Sequence, residues 1–178
     1  VRSKNTAEIL TKNIVLFAIA CTMYLVVGYY IMYSSGAGGF LPNLGFLIGS
    51  ENTLDAITAG GDDAPYYSMR SDFFFQVVFV ATAMSIVSGA VAERMKLWAF
   101  LAFAVVMTAF IYPVSGYWTW GGGWLSEVGY SDYAGSGIVH MAGAAAALAG
   151  VLVLGPRKGK YGKDGSIHAI PGANMPLA

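Results

Sequence analysis

Four long stretches of the sequence contain no Asp, Glu, Lys or Arg, and they lie at residues 14–33, 73–92, 97–126 and 133–155. A helix needs about 20 apolar residues to cross the hydrocarbon core of a bilayer. The third stretch contains Pro113 and three consecutive glycines, so its helix is expected to end well before Ser126. The alternation typical of a membrane β-barrel is absent from the pattern, and lipid leaves open strands unpaired. The sequence therefore predicts an all-α, polytopic helical membrane protein.

The predicted helices belong to a single transmembrane domain over residues 1–178, and they occupy about residues 6–34, 72–93, 96–118 and 133–155. The loop at 35–71 is rich in glycine and acidic residues, and we expect an irregular surface loop with one short helical turn. The polar start of the chain and the approach to another span at 175–178 indicate a piece of a longer protein.

Basic residues predict the orientation of the helices. If the helices alternate in direction, nine of the ten Lys and Arg residues share one side, and Arg70 lies on the other. The positive-inside rule makes the basic side cytoplasmic. The connector at 156–178 is then cytoplasmic and the loop at 35–71 external, as in a multi-pass protein of the cell membrane.

Composition excludes several classes of function. Charged residues make up 11% of the chain, about half the usual share, and the net charge is zero, so nothing indicates a nucleic-acid partner. The single cysteine, Cys21, excludes a disulfide framework. The sequence lacks a phosphate-binding loop, zinc-ligand spacing and a second histidine in the apolar stretches for a haem. We therefore predict no cofactor, no metal and no enzymatic activity.

His140 is the one histidine inside the four apolar stretches. At about 1.5 Å per residue it lies about 12 Å below the outer end of its helix, near the midplane of a ~30 Å core. An ionisable group at that depth usually faces a polar pathway or a partner. Proton relay and handling of a small polar substrate remain open beside a packing role, in which a neutral imidazole hydrogen-bonds between helices.

Asp132 directly precedes the fourth apolar stretch. A carboxylate there can accept hydrogen bonds from the free N–H groups of the helix start and meets the positive end of the helix dipole. Attraction of a cation to the outer mouth is the second interpretation, and the two are compatible.

Aromatic residues near the predicted outer ends allow two interpretations each. Phe75 and Phe79 are four residues apart and share a helix face, so they either pack against lipid and neighbouring helices or form a hydrophobic constriction. Trp118, Trp120 and Trp124 flank a glycine run, and tryptophans at this level either anchor a membrane interface or attract a cation with their ring faces.

The segment 132–140, DYAGSGIVH, resembles the signature of the ammonium transporter family (Amt/Mep/Rh). Three further segments resemble the family in the same order: VRSKN at 1–5, GAVAER at 89–94 and WGGG at 120–123. The likeness runs over essentially the whole chain and is greater to the bacterial Amt branch than to the Rh branch. It implies an eleven-helix subunit, usually a homotrimer, of which this chain would hold the second to fifth helices.

The resemblance also implies an outer site that recruits ammonium. By this resemblance, Trp120 and Phe79 correspond to the aromatic residues that recruit the ion. Phe79 also corresponds to one half of a paired-phenylalanine gate. Phe75 falls on a further vestibule aromatic and Gln76 on a polar neighbour. Asp132 falls on the acid that shapes this site without contacting the ion.

The implied function is ammonium or ammonia transport across the membrane. His140 falls on the first of twin pore histidines, while the second histidine, the second gate phenylalanine and the recruitment-site serine would follow Ala178. An ammonium sensor that couples the same fold to cytoplasmic signalling is the alternative function. The resemblance implies membrane lipid as the surroundings and admits a P-II-type cytoplasmic signalling protein as a partner.

Overall fold

The computed structural model of the protein describes residues 1–33, 38–48, 54–58, 60 and 67–174. The predictions for residues 175–178 and for the acidic loop residues Glu51, Asp62 and Asp63 lie outside these ranges. Within them the chain is helical, with two isolated β-bridges, Arg2 to Ala173 and Tyr161 to Ile167, and no β-strand.

Four helices of the described residues are long and apolar enough to cross a membrane, and we call them the first to fourth spans: Ser3–Tyr33, Met69–Ala90, Leu97–Tyr117 and Ser136–Leu154. Two short helices lie in the connections, at Leu54–Thr58 and Trp124–Glu127. The predicted all-α architecture with four membrane-length helices is therefore confirmed.

Three of the four spans contain a π-helical turn, in which one extra residue widens the helix. The turns lie at Tyr24–Gly28, Met107–Ile111 and Ser136–Met141. The first and third spans contact each other near their π-helical turns. The contact is close at Gly28, where an added Cβ would lie 2.9 Å from Cγ of Pro113 and 3.0 Å from the carbonyl oxygen of Thr108. Glycine at position 28 thus permits the close approach of these two helices.

The second and fourth spans start at positions that differ from the predicted ones. The second begins at Met69 because the Ser68 hydroxyl accepts a hydrogen bond from the Ser71 amide (3.1 Å), which caps the helix. Asp72, which the sequence assigned to the edge of the loop, therefore lies inside the helix. The fourth span begins at Ser136, after Gly135 in the left-handed conformation, so His140 lies about one turn inside it rather than two.

The spans alternate in direction, which gives the bundle two ends. At one end, which we call the basic end, Glu93 links the helix termini to one another. Its carboxylate accepts hydrogen bonds from Arg2 Nε (3.0 Å) and Asn5 Nδ2 (2.6 Å) and forms an ion pair with Arg157 (3.4 Å). Arg94 donates to the carbonyl oxygen of Gly155 (3.0 Å) at the end of the fourth span.

The opposite end, which we call the loop end, is joined by aromatic and hydroxyl groups. The Tyr24 and Phe73 rings stack with their centroids 5.8 Å apart, which packs the first span against the second. Deeper in the bundle, a Cβ at Gly143 would lie 2.8 Å from the carbonyl oxygen of Ala83. The small residue therefore lets the fourth span approach the second closely, as expected of glycine in membrane helices.

Lys12 lies within the first span and is 8% exposed. Its ammonium group donates a hydrogen bond to the carbonyl oxygen of Ser88 (3.3 Å) and lies 5.3 Å from the centroid of the Phe100 ring. Lys12 therefore links the first span to the second and third.

Candidate functional site

A cavity of about 370 Å³ opens at the loop end of the bundle. It lies between the end of the first span, the start of the second, and the segment that connects the third span to the fourth. Four of the six predicted site residues line it. The described lining consists of Tyr33, Tyr67, Asp72, Phe75, Gln76, Phe79, Trp120, Tyr133 and Ala134.

Three aromatic rings follow one another along one wall of this cavity. Phe75 and Phe79 meet edge to face with centroids 5.1 Å apart, and Phe79 meets Trp120 in the same way at 6.3 Å. Phe75 is 59% exposed, whereas Phe79 and Trp120 are partly buried. Each edge-to-face contact uses one face of only one of the two rings, and ring faces carry the negative end of the aromatic quadrupole. The wall can therefore attract a small cation.

The Trp120 ring is oriented by the segment that precedes the fourth span. Its Nε1–H donates a hydrogen bond of 2.6 Å to the backbone oxygen of Asp132. Trp118 and Trp124 instead pack around Phe40, at centroid distances of 5.0 and 5.8 Å, and neither is among the described lining of the cavity. The structure thus separates Trp120 from its two neighbours in sequence.

Asp132 caps the fourth span with both carboxylate oxygens. Oδ1 accepts hydrogen bonds from the amides of Gly135 (2.8 Å) and Ser136 (3.0 Å), and Oδ2 accepts from Gly137 and Ile138 (2.8 Å each). Burial by itself raises the pKa of the carboxyl group, but the four backbone hydrogen bonds outweigh it and hold the pKa below its ordinary value. The predicted capping role is therefore confirmed.

Asp72 was not predicted as a site residue, because the sequence placed it at the boundary between the acidic loop and the second helix. In the structure its Oδ2 accepts a hydrogen bond of 2.9 Å from the Tyr29 hydroxyl, and the side chain lines the cavity. The spacing carried a signal: Asp72 lies three residues before Phe75 and four before Gln76, so a helix starting at Met69 puts all three on one face.

His140 is not part of the described lining of the cavity. Its backbone amide donates to the Gly135 carbonyl (3.0 Å) in the first turn of the fourth span, and its side chain is exposed in this structure. The next residue, Met141, is 65% exposed. The fourth span therefore presents His140 on a face that the described residues leave uncovered.

The described residues contain no group of three or more His, Cys, Asp or Glu side chains that could hold a metal ion. The site offers aromatic faces, the Asp72 carboxylate and the Gln76 amide instead. Four apolar helices of membrane length, with an aromatic cavity at one end whose described lining contains one carboxylate, define a helical membrane protein.

Comparison with known proteins specifies the family. The model described as Ammonium Transporter Family matches residues 1–178. The chain is similar to Ammonium transporter Amt2 of Archaeoglobus fulgidus, with 40% identity over 188 residues that cover 99% of the chain and 37% of that protein. It is also similar to Ammonium transporter Amt1 of Haloferax mediterranei, with 41% identity over 187 residues, 100% of the chain and 34% of that protein.

A third relative, the putative ammonium transporter sll1017 of Synechocystis, is 43% identical over 160 residues, 89% of the chain and 34% of that protein. The chain belongs to the ammonium transporter family. It spans about a third of the length of these curated relatives.

Proposed function

We propose that the full-length protein containing this chain transports ammonium across the cell membrane, and that the cavity at the loop end is its outer recruitment site. The observation that carries the proposal is the aromatic wall of Phe75, Phe79 and Trp120, with Trp120 oriented by Asp132. Membership of the family and relatives named ammonium transporters support the choice of ammonium as the cation.

Recruitment is the first step of the proposed mechanism. An ammonium ion over the Trp120 and Phe79 ring faces gains about 0.5–2 kcal/mol, and more as water leaves the site. Gln76 adds a polar contact, and Asp132 keeps Trp120 in position without touching the ion. The basic end then faces the cytoplasm, as the positive-inside rule requires.

Deprotonation is the second step: ammonium gives up one proton, for which the neutral His140 imidazole is the proposed acceptor, and continues as ammonia. A bare ion beyond the phenylalanines would face a steep desolvation cost, whereas neutral ammonia crosses an apolar lumen at a much lower one. Phe79 is one half of the proposed gate, and His140 lines the proposed pore, where neutral imidazole both donates and accepts hydrogen bonds. We propose that the subunit works as a homotrimer surrounded by lipid, with the basic end open to a P-II-type signalling protein.

The test is ammonium uptake by the full-length protein in a cell that lacks its own ammonium transport. Trp120→Leu removes the indole face, and the half-saturating ammonium concentration is expected to rise about threefold to tenfold. Trp98→Leu is the matched control, because Trp98 is 80% exposed and lies near the basic end. It should leave the half-saturating concentration unchanged.

Unchanged half-saturation in Trp120→Leu would return Trp120 to the role of an interface anchor. A wild-type protein that is present in the membrane, takes up no ammonium, and still passes an ammonium signal to the cytoplasm would be a sensor rather than a transporter.

A further inference from the structure

The cavity that holds the aromatic wall is also lined by a carboxylate, which recruitment by ring faces does not require. Asp72 lines the same cavity as Phe75, Phe79 and Trp120. It is half-buried and lies one helical turn before Gln76 on the second span. A negative charge at this place acts directly on any cation that enters the cavity.

A hydrogen bond from a neighbouring span holds the Asp72 side chain. The Tyr29 hydroxyl, from the first span, donates a hydrogen bond of 2.9 Å to Oδ2. Gln76 lies one helical turn further along the same span and lines the same cavity.

The oxygen of the Gln76 amide is unsatisfied among the described residues. Gln76 is 9% exposed, and its Oε1 is buried with no hydrogen-bond partner among the described residues. A buried carbonyl oxygen without a donor is costly, so a ligand that brings N–H groups into the cavity is favoured there. Ring faces attract any weakly hydrated cation, whereas oxygen acceptors in the cavity favour a cation that has N–H groups to donate in hydrogen bonds.

We infer that Asp72 is a further substrate-binding residue, whose carboxylate supplies the counter-charge of the outer site and, with Gln76 Oε1, accepts N–H groups of the ammonium ion. The inference rests on the proposed function and deepens it. The outer site then has two halves: an aromatic half that attracts charge, and an acceptor half that recognises N–H donors.

A purely structural role for Asp72 makes a different prediction. Asp72 lies in the first turn of the second span, where an acidic side chain interacts favourably with the helix dipole. Loss of that interaction lowers the amount or stability of the folded protein and leaves the affinity of the folded molecules for ammonium unchanged.

The experiment measures ammonium uptake by the full-length protein with Asp72→Asn, which is close to isosteric and removes the charge. The half-saturating concentration is expected to rise about tenfold, with a much smaller change in the maximal rate per molecule. Asp72→Glu restores the charge and should return the half-saturating concentration to within about threefold of wild type. Asp55→Asn is the matched control, because Asp55 is an exposed acid in the connection that precedes the second span and lies outside the described lining of the cavity.

Unchanged half-saturation in Asp72→Asn, while Trp120→Leu still raises it, would overturn the inference and leave the proposed function standing. An equal rise in Asp55→Asn would assign the effect to general surface charge and would also overturn it. Failure of both Asp72 variants to accumulate in the membrane would assign Asp72 to the helix start, with the same consequence. Absence of uptake by the wild type would overturn the proposed function itself.

Discussion

Three tryptophans that lie close together in sequence differ in the partner of the indole N–H. Trp118 donates to the backbone oxygen of Phe40 (2.8 Å), and Trp120 donates to that of Asp132 (2.6 Å). The Nε1 of Trp124 is buried and has no partner among the described residues. Trp120, with its hydrogen bond to Asp132, is the one of the three in the described lining of the cavity, so the tertiary partner distinguishes its ring from the other two.

His140 can be tested at the same scale. In the full-length protein, His140→Ala should abolish ammonium uptake or change its ion selectivity and current, because the proposed pore then lacks a group that both donates and accepts a proton. Uptake and current in a transport-deficient cell are the measurements. His168→Ala is the matched control, since it removes the other histidine of the chain, which is exposed in the connector. Unchanged uptake, selectivity and current in His140→Ala would refute the proton-handling role.

The start of the fourth span is the element on which the site depends most. The Asp132 carboxylate accepts hydrogen bonds from the four successive amides of residues 135–138, and the Asp132 backbone carbonyl orients Trp120. The order of residues from Asp132 to Ile138 predicted a cap. It did not predict the π-helical turn at Ser136–Met141, because apolar residues in an α-turn and in a π-turn share nearly the same pattern.

Asp132→Asn should therefore weaken both the helix start and the site. The amide keeps one acceptor oxygen, and its NH₂ group faces two backbone donors, so the free energy of unfolding should fall by about 2–4 kcal/mol. The apparent unfolding temperature of the full-length protein in detergent measures the loss. Asp55→Asn serves again as the control, since Asp55 is exposed. An unfolding temperature equal to wild type would show that the cap contributes little.

At the scale of the whole molecule, the two ends of the bundle differ in chemistry. The loop end carries the aromatic cavity, whereas the basic end is closed by ion pairs on Glu93, whose side chain is 2% exposed. Burial raises the pKa of Glu93, but hydrogen bonds from Arg2 and Asn5 and the Arg2 charge hold the pKa below its ordinary value. Glu93 joins residues that are far apart in sequence and so stabilises the bundle as a unit.

The lowered pKa of Glu93 fixes the sign of a pH effect. The ionised carboxylate stabilises the folded state above the ordinary glutamate pKa, and this contribution is lost as the pH falls below about 4, through the lowered pKa. Glu93→Gln should lower the free energy of unfolding at pH 7 by about 1–3 kcal/mol. The free energy of unfolding of the variant should also decrease less than that of the wild type when the pH is lowered from 7 to acid values. Unfolding temperatures across a pH series measure both effects.

Glu8→Gln is the control for this series, because Glu8 is exposed near the same end of the bundle. Equal pH curves for wild type and Glu93→Gln would mean that the ion pairs contribute nothing to stability.

The sequence by itself determined the helical architecture, since uncharged runs of about 20 residues can satisfy their backbone in lipid only as helices. It also indicated the family and four of the residues that line the cavity: Phe75, Gln76, Phe79 and Trp120. These predictions rest on local order along the chain. Whatever depends on neighbours that are distant in sequence was left open.

Only the tertiary structure decided that Asp72 belongs to the cavity and that Trp120, unlike Trp118, faces it. Asp72 enters the site because the Ser68 cap starts the second span early and because Tyr29 reaches the carboxylate from the first span. The physical reason is that a side chain's direction depends on the exact helix start and on its hydrogen-bond partner. Hydrophobic periodicity specifies neither of them.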